Sequence, residues 1–205
     1  MSDQQNRHPA CPNTGFKNRS MSLRFFAMLG AIFLTGRIAA QTTIYNDFNN
    51  GNGFGANGNF TWDTGSALWN TSNTGSNSPG RINWTNAATP NNAILGNGSG
   101  TGPFTTTLGA NITVGTISVA TGTWAIGLGV NTLTFDSSTD SSLAVAISGS
   151  GNVVKKGTST LTFSGTAANT YTGTTTVNAG GLTLGKTAGV NSIAGNVSLG
   201  DGIGT

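Results

Sequence analysis

The amino-acid sequence has few of the side chains that enzymes use for chemistry. It contains one His and one Cys among 205 residues, and each of its 6 acidic residues is an Asp, so glutamate is missing. His8 and Cys11 both lie before residue 41. A chain without these two residues has no imidazole or thiolate for catalysis, no His or Cys metal ligand and no disulfide. Enzymes built on a Ser-His-Asp or Cys-His arrangement are thereby excluded for such a chain.

Charge is also scarce, at 7% of residues, and it is unevenly distributed. Five of the 9 Lys and Arg residues lie before residue 41, where the only acidic residue is Asp3. After residue 40 the chain has four basic residues and five Asp, so the net charge of this part is close to zero. Nucleic-acid binding depends on clustered Lys and Arg that contact phosphates. The sequence therefore predicts no nucleic-acid partner.

The N-terminal segment has the organisation of an export signal. Within residues 21–40, Arg24 precedes an apolar run over 25–34, a polar break follows, and small residues end at Ala40. This run is too short for a helix across a bilayer core of ~30 Å, which needs about 20 residues. We predict a signal peptide over 1–40 that is cleaved after Ala40, with Met21 as an alternative start and no transmembrane segment in the mature chain. A short buried helix is the alternative interpretation.

The body of the chain divides into two regions of different composition. Residues 41–105 are rich in Asn, Gly and Trp and are predicted to form an irregular N-terminal cap, whereas residues 106–205 are predicted to be regular. Trp62, Trp69 and Trp84 lie among turn formers in the first region. We expect these side chains to pack inside the cap, and the alternative is an exposed aromatic platform for sugar rings.

From about residue 110, apolar residues alternate with small or polar ones, which indicates short strands with one buried face. The alternating sets are Ile112 and Val114; Ile117 and Val119; Trp124, Ile126, Leu128 and Val130; Leu133 and Phe135; Leu143, Val145 and Ile147; Leu161 and Phe163; Leu182 and Leu184; and Val197 and Leu199. Frequent Gly, Thr and Val disfavour helix. Disorder is the competing interpretation, but its usual high net charge is missing. The body is predicted to be all-β.

Short strands of this kind need many neighbours, either in a sandwich or in a solenoid, and the alternation alone leaves both open. The similar units STLTFSG at 159–165 and GGLTLGK at 180–186 lie about one solenoid coil apart. The surrounding stretch, 148–186, closely resembles the autotransporter-associated β-strand repeat of bacterial secreted passenger domains. It has the Gly-x-Gly entry, a Lys-x-Gly turn, a Leu-Thr-Leu-like strand, the Asn-x-Tyr-x-Gly step, a Thr-Thr-Val strand and the Ala-Gly-x-Leu close.

The matching residues are expected to have structural roles in the repeat. They are Gly149, Gly151, Lys156, Leu161, Phe163, Asn169, Tyr171, Gly173, Val177, Gly180, Leu182 and Leu184. Two departures are Phe163 in place of an aliphatic residue and an extra pair, Ala167 and Ala168, before the Asn. The resemblance implies a right-handed parallel β-helix, a β-solenoid of short strands.

The resemblance also implies a function. We expect a non-enzymatic, adhesin-like structural passenger that is secreted or displayed on the cell surface, with an extracellular polysaccharide or a cell-surface ligand as partner. Because one complete repeat is present, we expect the N-terminal part of a longer chain, associated with the outer membrane if a translocator follows Thr205. The alternative is a β-helix protein that binds or degrades polysaccharides. The few Asp residues are too dispersed for the clustered acidic sites of such enzymes.

One motif suggests a different function. GGLTLGKT at 180–187 fits the phosphate-binding pattern G-x-x-x-x-G-K-[ST]. A phosphate-binding loop follows a strand and opens a helix. Here Leu182 to Leu184 read as a strand inside the supposed loop, and the Gly-rich segment that follows does not read as a helix. We predict no nucleotide binding and no cofactor.

The remaining polar candidates are interpreted as structural. Asp136 and Asp140 could contribute to a calcium site, but two carboxylates are too few, so we expect solvated turn residues and no metal. Lys155 and Lys156 are assigned to a turn of the repeat. Tyr171 is expected to have a structural role in the Asn-x-Tyr-x-Gly step.

Overall fold

Strands are the only regular elements in the part of the chain that the structure describes. The computed structural model describes residues 41–49, 51, 53–76 and 80–200. The predicted signal peptide, with His8 and Cys11, lies outside the described residues. The sixteen strands are β1 Thr43–Asn46, β2 Phe60–Trp62, β3 Trp69–Asn70, β4 Asn92–Leu95, β5 Phe104–Leu108, β6 Ile112–Val114, β7 Ile117–Val119, β8 Trp124–Gly127, β9 Leu133–Asp136, β10 Ser141–Leu143, β11 Ala146–Ser148, β12 Val153–Lys156, β13 Thr160–Phe163, β14 Thr175–Val177, β15 Gly181–Leu184 and β16 Val197–Leu199.

From β4 onward, consecutive strands belong to different sheets, so the chain coils. The four sheets have the orders β3-β1-β4-β7, β2-β5-β8-β11, β6-β9-β12-β14-β16 and β10-β13-β15. All the strand pairs are parallel except β1 with β3. The longest stack has five strands, one from each of five successive coils. The all-β solenoid expected from the sequence is confirmed, and the sandwich alternative is wrong.

The length of one coil is nearly constant through the regular part of the solenoid. Side-chain hydrogen bonds between neighbouring coils join residues that are 20 to 23 positions apart. The two similar units of the sequence occupy adjacent coils, with Leu161 of β13 opposite Leu182 of β15. The internal similarity therefore reflects stacking of one coil on the next.

A continuous apolar core fills the space between the stacked strands. Leu133 and Val153 are in register on β9 and β12, and each is fully buried. Leu161 and Phe163 of β13 are buried in the same way. Each such side chain contributes roughly 1.5–3 kcal/mol relative to exposure. Stability therefore accumulates coil by coil.

Some residues of the predicted alternation do not face the core. Val130 is 81% exposed, because β8 ends at Gly127 and the chain turns at Gly129, where φ is 58°. On β15, Leu184 is 57% exposed and Leu182 is half-buried. Both residues lie on the last described strand of their sheet, so β13 covers them on one side only. Val197 and Leu199 of β16 are exposed for the same reason.

Parallel pairing extends into the Trp-rich region. β1 pairs with β4 and β2 pairs with β5, although longer connections separate these strands. Trp62, Trp69 and Trp84 are almost completely buried, and their rings meet at centroid distances of 4.7 to 4.9 Å. Tilted and edge-to-face contacts of this kind are favourable for aromatic rings. The prediction that these side chains pack internally is confirmed, and the exposed sugar platform is wrong.

A charge placed inside the core should unfold the solenoid. We expect Leu161→Asp to lower the free energy of unfolding by more than about 3 kcal/mol, because it removes a buried side chain and buries a carboxylate. The matched control is Thr162→Asp on the same strand, whose side chain points away from the core, with an expected loss of about 1 kcal/mol or less. Urea denaturation followed by far-UV circular dichroism measures both. Equal losses would show that Leu161 does not face the core.

Candidate functional site

The repeat residues occupy almost two coils, from β11 to β15. Gly149 and Gly180 adopt φ values of 105° and 69°, which side chains rarely tolerate. Gly151 and Gly173 lie on neighbouring coils where the backbones touch. A Cβ on Gly173 would lie 2.1 Å from the carbonyl oxygen of Gly151. Glycine is therefore needed at this corner for close stacking.

Asn169 connects three coils at a position where no strand forms. Its side-chain oxygen accepts a hydrogen bond from the backbone N–H of Ile147 at 2.9 Å. Its side-chain nitrogen donates to the carbonyl oxygen of Ser192 at 2.7 Å. Asn169 is buried, and its bond with Ile147 is shielded from water, whereas its bond with Ser192 is partly buried. The side chain thus supplies the bonds that a β-ladder supplies elsewhere.

Tyr171 lies inside the solenoid, two residues after Asn169. The side chain is completely buried, and its hydroxyl is hydrogen-bonded to the hydroxyl of Thr175. Burial raises the pKa of Tyr171, and the bond with Thr175 partly opposes this shift. A neutral, bonded phenol in the core packs the coil and is not presented to solvent.

Lys155 faces the interior, contrary to the expectation that Lys155 and Lys156 form a turn. Both residues belong to β12, and the turn begins at Gly157. The Lys155 ammonium donates to the carbonyl oxygens of Lys156 and Gly157, each at 2.8 Å. Burial lowers the pKa of Lys155, while the charges of Asp136 and Asp140 oppose this shift. Lys155 occupies an inward position in register with Phe135 and Val177.

Lys186, the lysine of the phosphate-loop-like motif, is also turned inward. Its ammonium donates to the carbonyl oxygen of Ser164 at 3.0 Å and lies 3.3 Å from that of Val145. Burial lowers the pKa of Lys186. The supposed loop contains β15, Gly181–Leu184. This is not the geometry of a phosphate-binding loop, because the lysine is bound to backbone carbonyls and a strand replaces the loop.

Lys156 points outward and pairs with Asp136 at 3.5 Å. Its side chain is 61% exposed, and such a pair contributes little to stability. Asp140 accepts a hydrogen bond from the backbone N–H of Thr160 at 2.7 Å. Within the described ranges, no group of three or more His, Cys, Asp or Glu residues could hold a metal ion.

Asn and Asp side chains join neighbouring coils in a recurrent way. Besides Asp140 with Thr160, Asn111 accepts from the N–H of Thr132 at 2.9 Å, and Asn152 accepts from that of Thr174 at 2.8 Å. Each acceptor lies one coil before its donor. The sequence signal for these bonds is an Asn or Asp about 20 to 22 positions before a Thr, and that signal becomes visible once the coil length is known.

The comparisons with known proteins agree with this architecture. The family model of the passenger-associated-transport repeat matches residues 153–184, from the start of β12 to the end of β15. The chain carries an autotransporter passenger repeat. Over most of its length, the chain is also similar to the adhesin BmaC autotransporter of Brucella suis biovar 1 (strain 1330), at 31% identity over 181 residues. That alignment covers 85% of this chain and 5% of the relative.

No solved structure matches the chain. Across the residues that the structure describes, no helix is long and apolar enough to cross a membrane.

Loss of the Asn169 side chain should destabilise the passenger repeat. Asn169→Ala leaves the buried N–H of Ile147 and the carbonyl of Ser192 without these partners, so we expect a loss of roughly 2–4 kcal/mol in the free energy of unfolding. Asn196→Ala is the control, because Asn196 is exposed, and its expected change is within about 0.5 kcal/mol. Urea denaturation measures both variants. A similar small change in both would contradict the bridging role.

Lys155 and Lys186, the two inward lysines, should make the free energy of unfolding depend on pH in the alkaline range. Both have a pKa below the ordinary 10.5 in the folded chain, so the unfolded state binds more protons between the lowered value and 10.5. The contribution of these groups to the free energy of unfolding therefore rises with pH in that window. We expect the stability of the wild type minus that of Lys155→Met/Lys186→Met to increase as the pH rises toward 10.5.

Urea titrations at a series of pH values measure this difference. Tyr171 titrates in the wild type and in the variant alike, so its opposite contribution cancels. Asn196→Met is the control, because it changes an exposed side chain that does not titrate, and it should show no such trend. A difference that is flat or falls with pH would contradict the burial of the two ammonium groups.

Proposed function

We propose that the protein is a non-enzymatic, adhesin-like passenger that is secreted or displayed on the cell surface. The observation that carries this proposal is the passenger repeat at 153–184, folded as stacked coils whose matching residues hold the coils together. The similarity to an autotransporter adhesin supports the same function. The chain spans about 5% of the length of that relative, so the activity of the whole protein is part of the proposal.

The roles of the polar side chains support a structural function over catalysis. Asn169, Lys155 and Lys186 are bonded to backbone groups of the stacked coils. Tyr171 is bonded within the core. Groups that are engaged in this way are not presented to a substrate. We infer that these residues stabilise the solenoid and that the exposed Thr, Ser and Asn side chains of the turns contact the partner.

Surface display can be tested on intact bacteria that express the full-length gene product. An antibody against residues 41–200 should label intact cells, and external protease should remove the label, because a displayed passenger is accessible from outside. A variant that lacks residues 21–40 is the control and should be labelled only after lysis. Labelling of the intact protein only after lysis would overturn display. In the same assay, the displaying cells should adhere to a coated surface more than control cells do, without release of reducing ends from pectin.

A further inference from the structure

A cleft lies at one corner of the coils, and the stacking role of the passenger repeat gives this cleft no function. The cleft has a volume of about 490 Å³ and lies where the turns after β9 and β12 face the segments that lead into β1 and β4. Ligand sites commonly have volumes of about 300–1,000 Å³. We propose that this corner cleft binds an uncharged segment of a carbohydrate.

The polar lining suits a ligand with many hydroxyl groups. It includes Gln41, Asn92, Asp136, Ser138 and Thr139, whose side chains carry amides, a carboxylate and hydroxyls. Amides and hydroxyls both donate and accept hydrogen bonds, and a carboxylate can accept two at once. Neighbouring sugar hydroxyls present the same mixture of donors and acceptors at similar spacing.

The cleft also has apolar surface. Ala88 and Pro90 lie in the segment before β4 and contribute to the lining. A sugar ring has a C–H face as well as hydroxyls, so it can place that face against the exposed methyl group of Ala88 and the part of the buried Pro90 that lines the cleft. A fully hydrated ion would gain nothing from this surface. The combination favours a polyhydroxylated ring over a small inorganic ligand.

The charges around the cleft favour an uncharged ligand. Asp136 is the only charged residue among the described lining residues, and it is paired with Lys156 at 3.5 Å. A single carboxylate is too few for a calcium site. Lys156 offsets the charge of Asp136, and no lysine or arginine belongs to the lining, so an anionic sugar would find no cation there to bind. A neutral saccharide needs no such cation.

The wall of the cleft is held in place before any ligand binds. The Gln41 side chain donates to the carbonyl oxygen of Asp136 at 3.0 Å, across 95 positions of sequence. The Ser137 hydroxyl lies 3.2 Å from the side-chain oxygen of Gln41 and accepts from the N–H of Thr139 at 2.9 Å. Ser137 is buried, so these bonds form the floor. A preformed wall lowers the entropic cost of binding.

Two glycines make room for this arrangement. A Cβ on Gly115 would lie 2.3 Å from the side-chain oxygen of Asn92 and 2.4 Å from the side-chain nitrogen of Gln41. A Cβ on Gly157 would lie 2.5 Å from the carbonyl oxygen of Ser137. Larger residues at either position would displace the polar groups of the wall. The geometry of the cleft therefore depends on glycine at both places.

Carbohydrate binding would specify the ligand of the proposed adhesin-like passenger, and its biological role rests on that proposed function. Binding itself can be measured on purified exported protein, independently of surface display. Failure to bind carbohydrate would contradict this inference and would not bear on surface display. Failure of surface display would contradict the proposed function and would not change the binding result.

The test is an array of neutral and acidic oligosaccharides, followed by titration calorimetry with the strongest neutral ligand. We expect binding to at least one neutral oligosaccharide and weaker binding to its acidic derivatives. Thr158→Trp, at an exposed position in the lining, should fill the cleft and weaken binding at least about tenfold. Thr139→Val should also weaken it, because it removes one hydroxyl and keeps the shape.

Thr166→Trp is the matched control, since Thr166 is exposed in a turn away from the cleft. Its affinity should equal that of the wild type, and circular dichroism should show the same fold in all three variants. No binding to any neutral oligosaccharide, a preference for acidic ones, or binding that Thr158→Trp leaves unchanged would each overturn the proposal.

Discussion

Parallel pairing of every coil with the coils on either side is the constraint on which the rest of the structure depends. Strands of two to five residues cannot satisfy their backbone groups alone, so each must lie in register with a neighbour, which from β8 onward is 20 to 22 positions away. Val153 shows the result, because it is paired with Leu133 on one side and Thr175 on the other. The apolar core and the need for glycine at corners such as Gly173 both follow from this close stacking.

The same stacking decides what the polar residues do. Asn169, Lys155 and Lys186 bond to carbonyl and N–H groups at corners where the β-ladder is interrupted. A buried ammonium group is unfavourable unless its donors are used, and here backbone carbonyls use them. Asn169 and Lys186 join coils in this way, and Lys155 bonds to the turn that follows its own strand. The exterior is left with mostly uncharged polar residues. Such an exterior suits a passenger that makes contacts through its turns.

Much of the fold could be predicted from the sequence, because alternation with a period of two is a local pattern. Leu133 and Leu161 were expected in the core for this reason, and they are buried. Val130 continues the same alternation through a turn and is exposed, because the pattern does not show where a strand ends. Lys155 was assigned to a turn, because Lys155 and Lys156 resemble a turn of the repeat. Its alternation with Val153 was a signal that it faces inward.

Composition and periodicity by themselves determined that this protein is all-β, has a single His, a single Cys and no Glu, and repeats at about the length of a solenoid coil. The tertiary structure alone decided which lysines face inward, that Asn169 joins three coils, and that Gln41 meets Asp136 across 95 positions. The physical reason is that a period of two is set by neighbouring residues. Contacts between coils depend on register, which becomes fixed only when the coils stack.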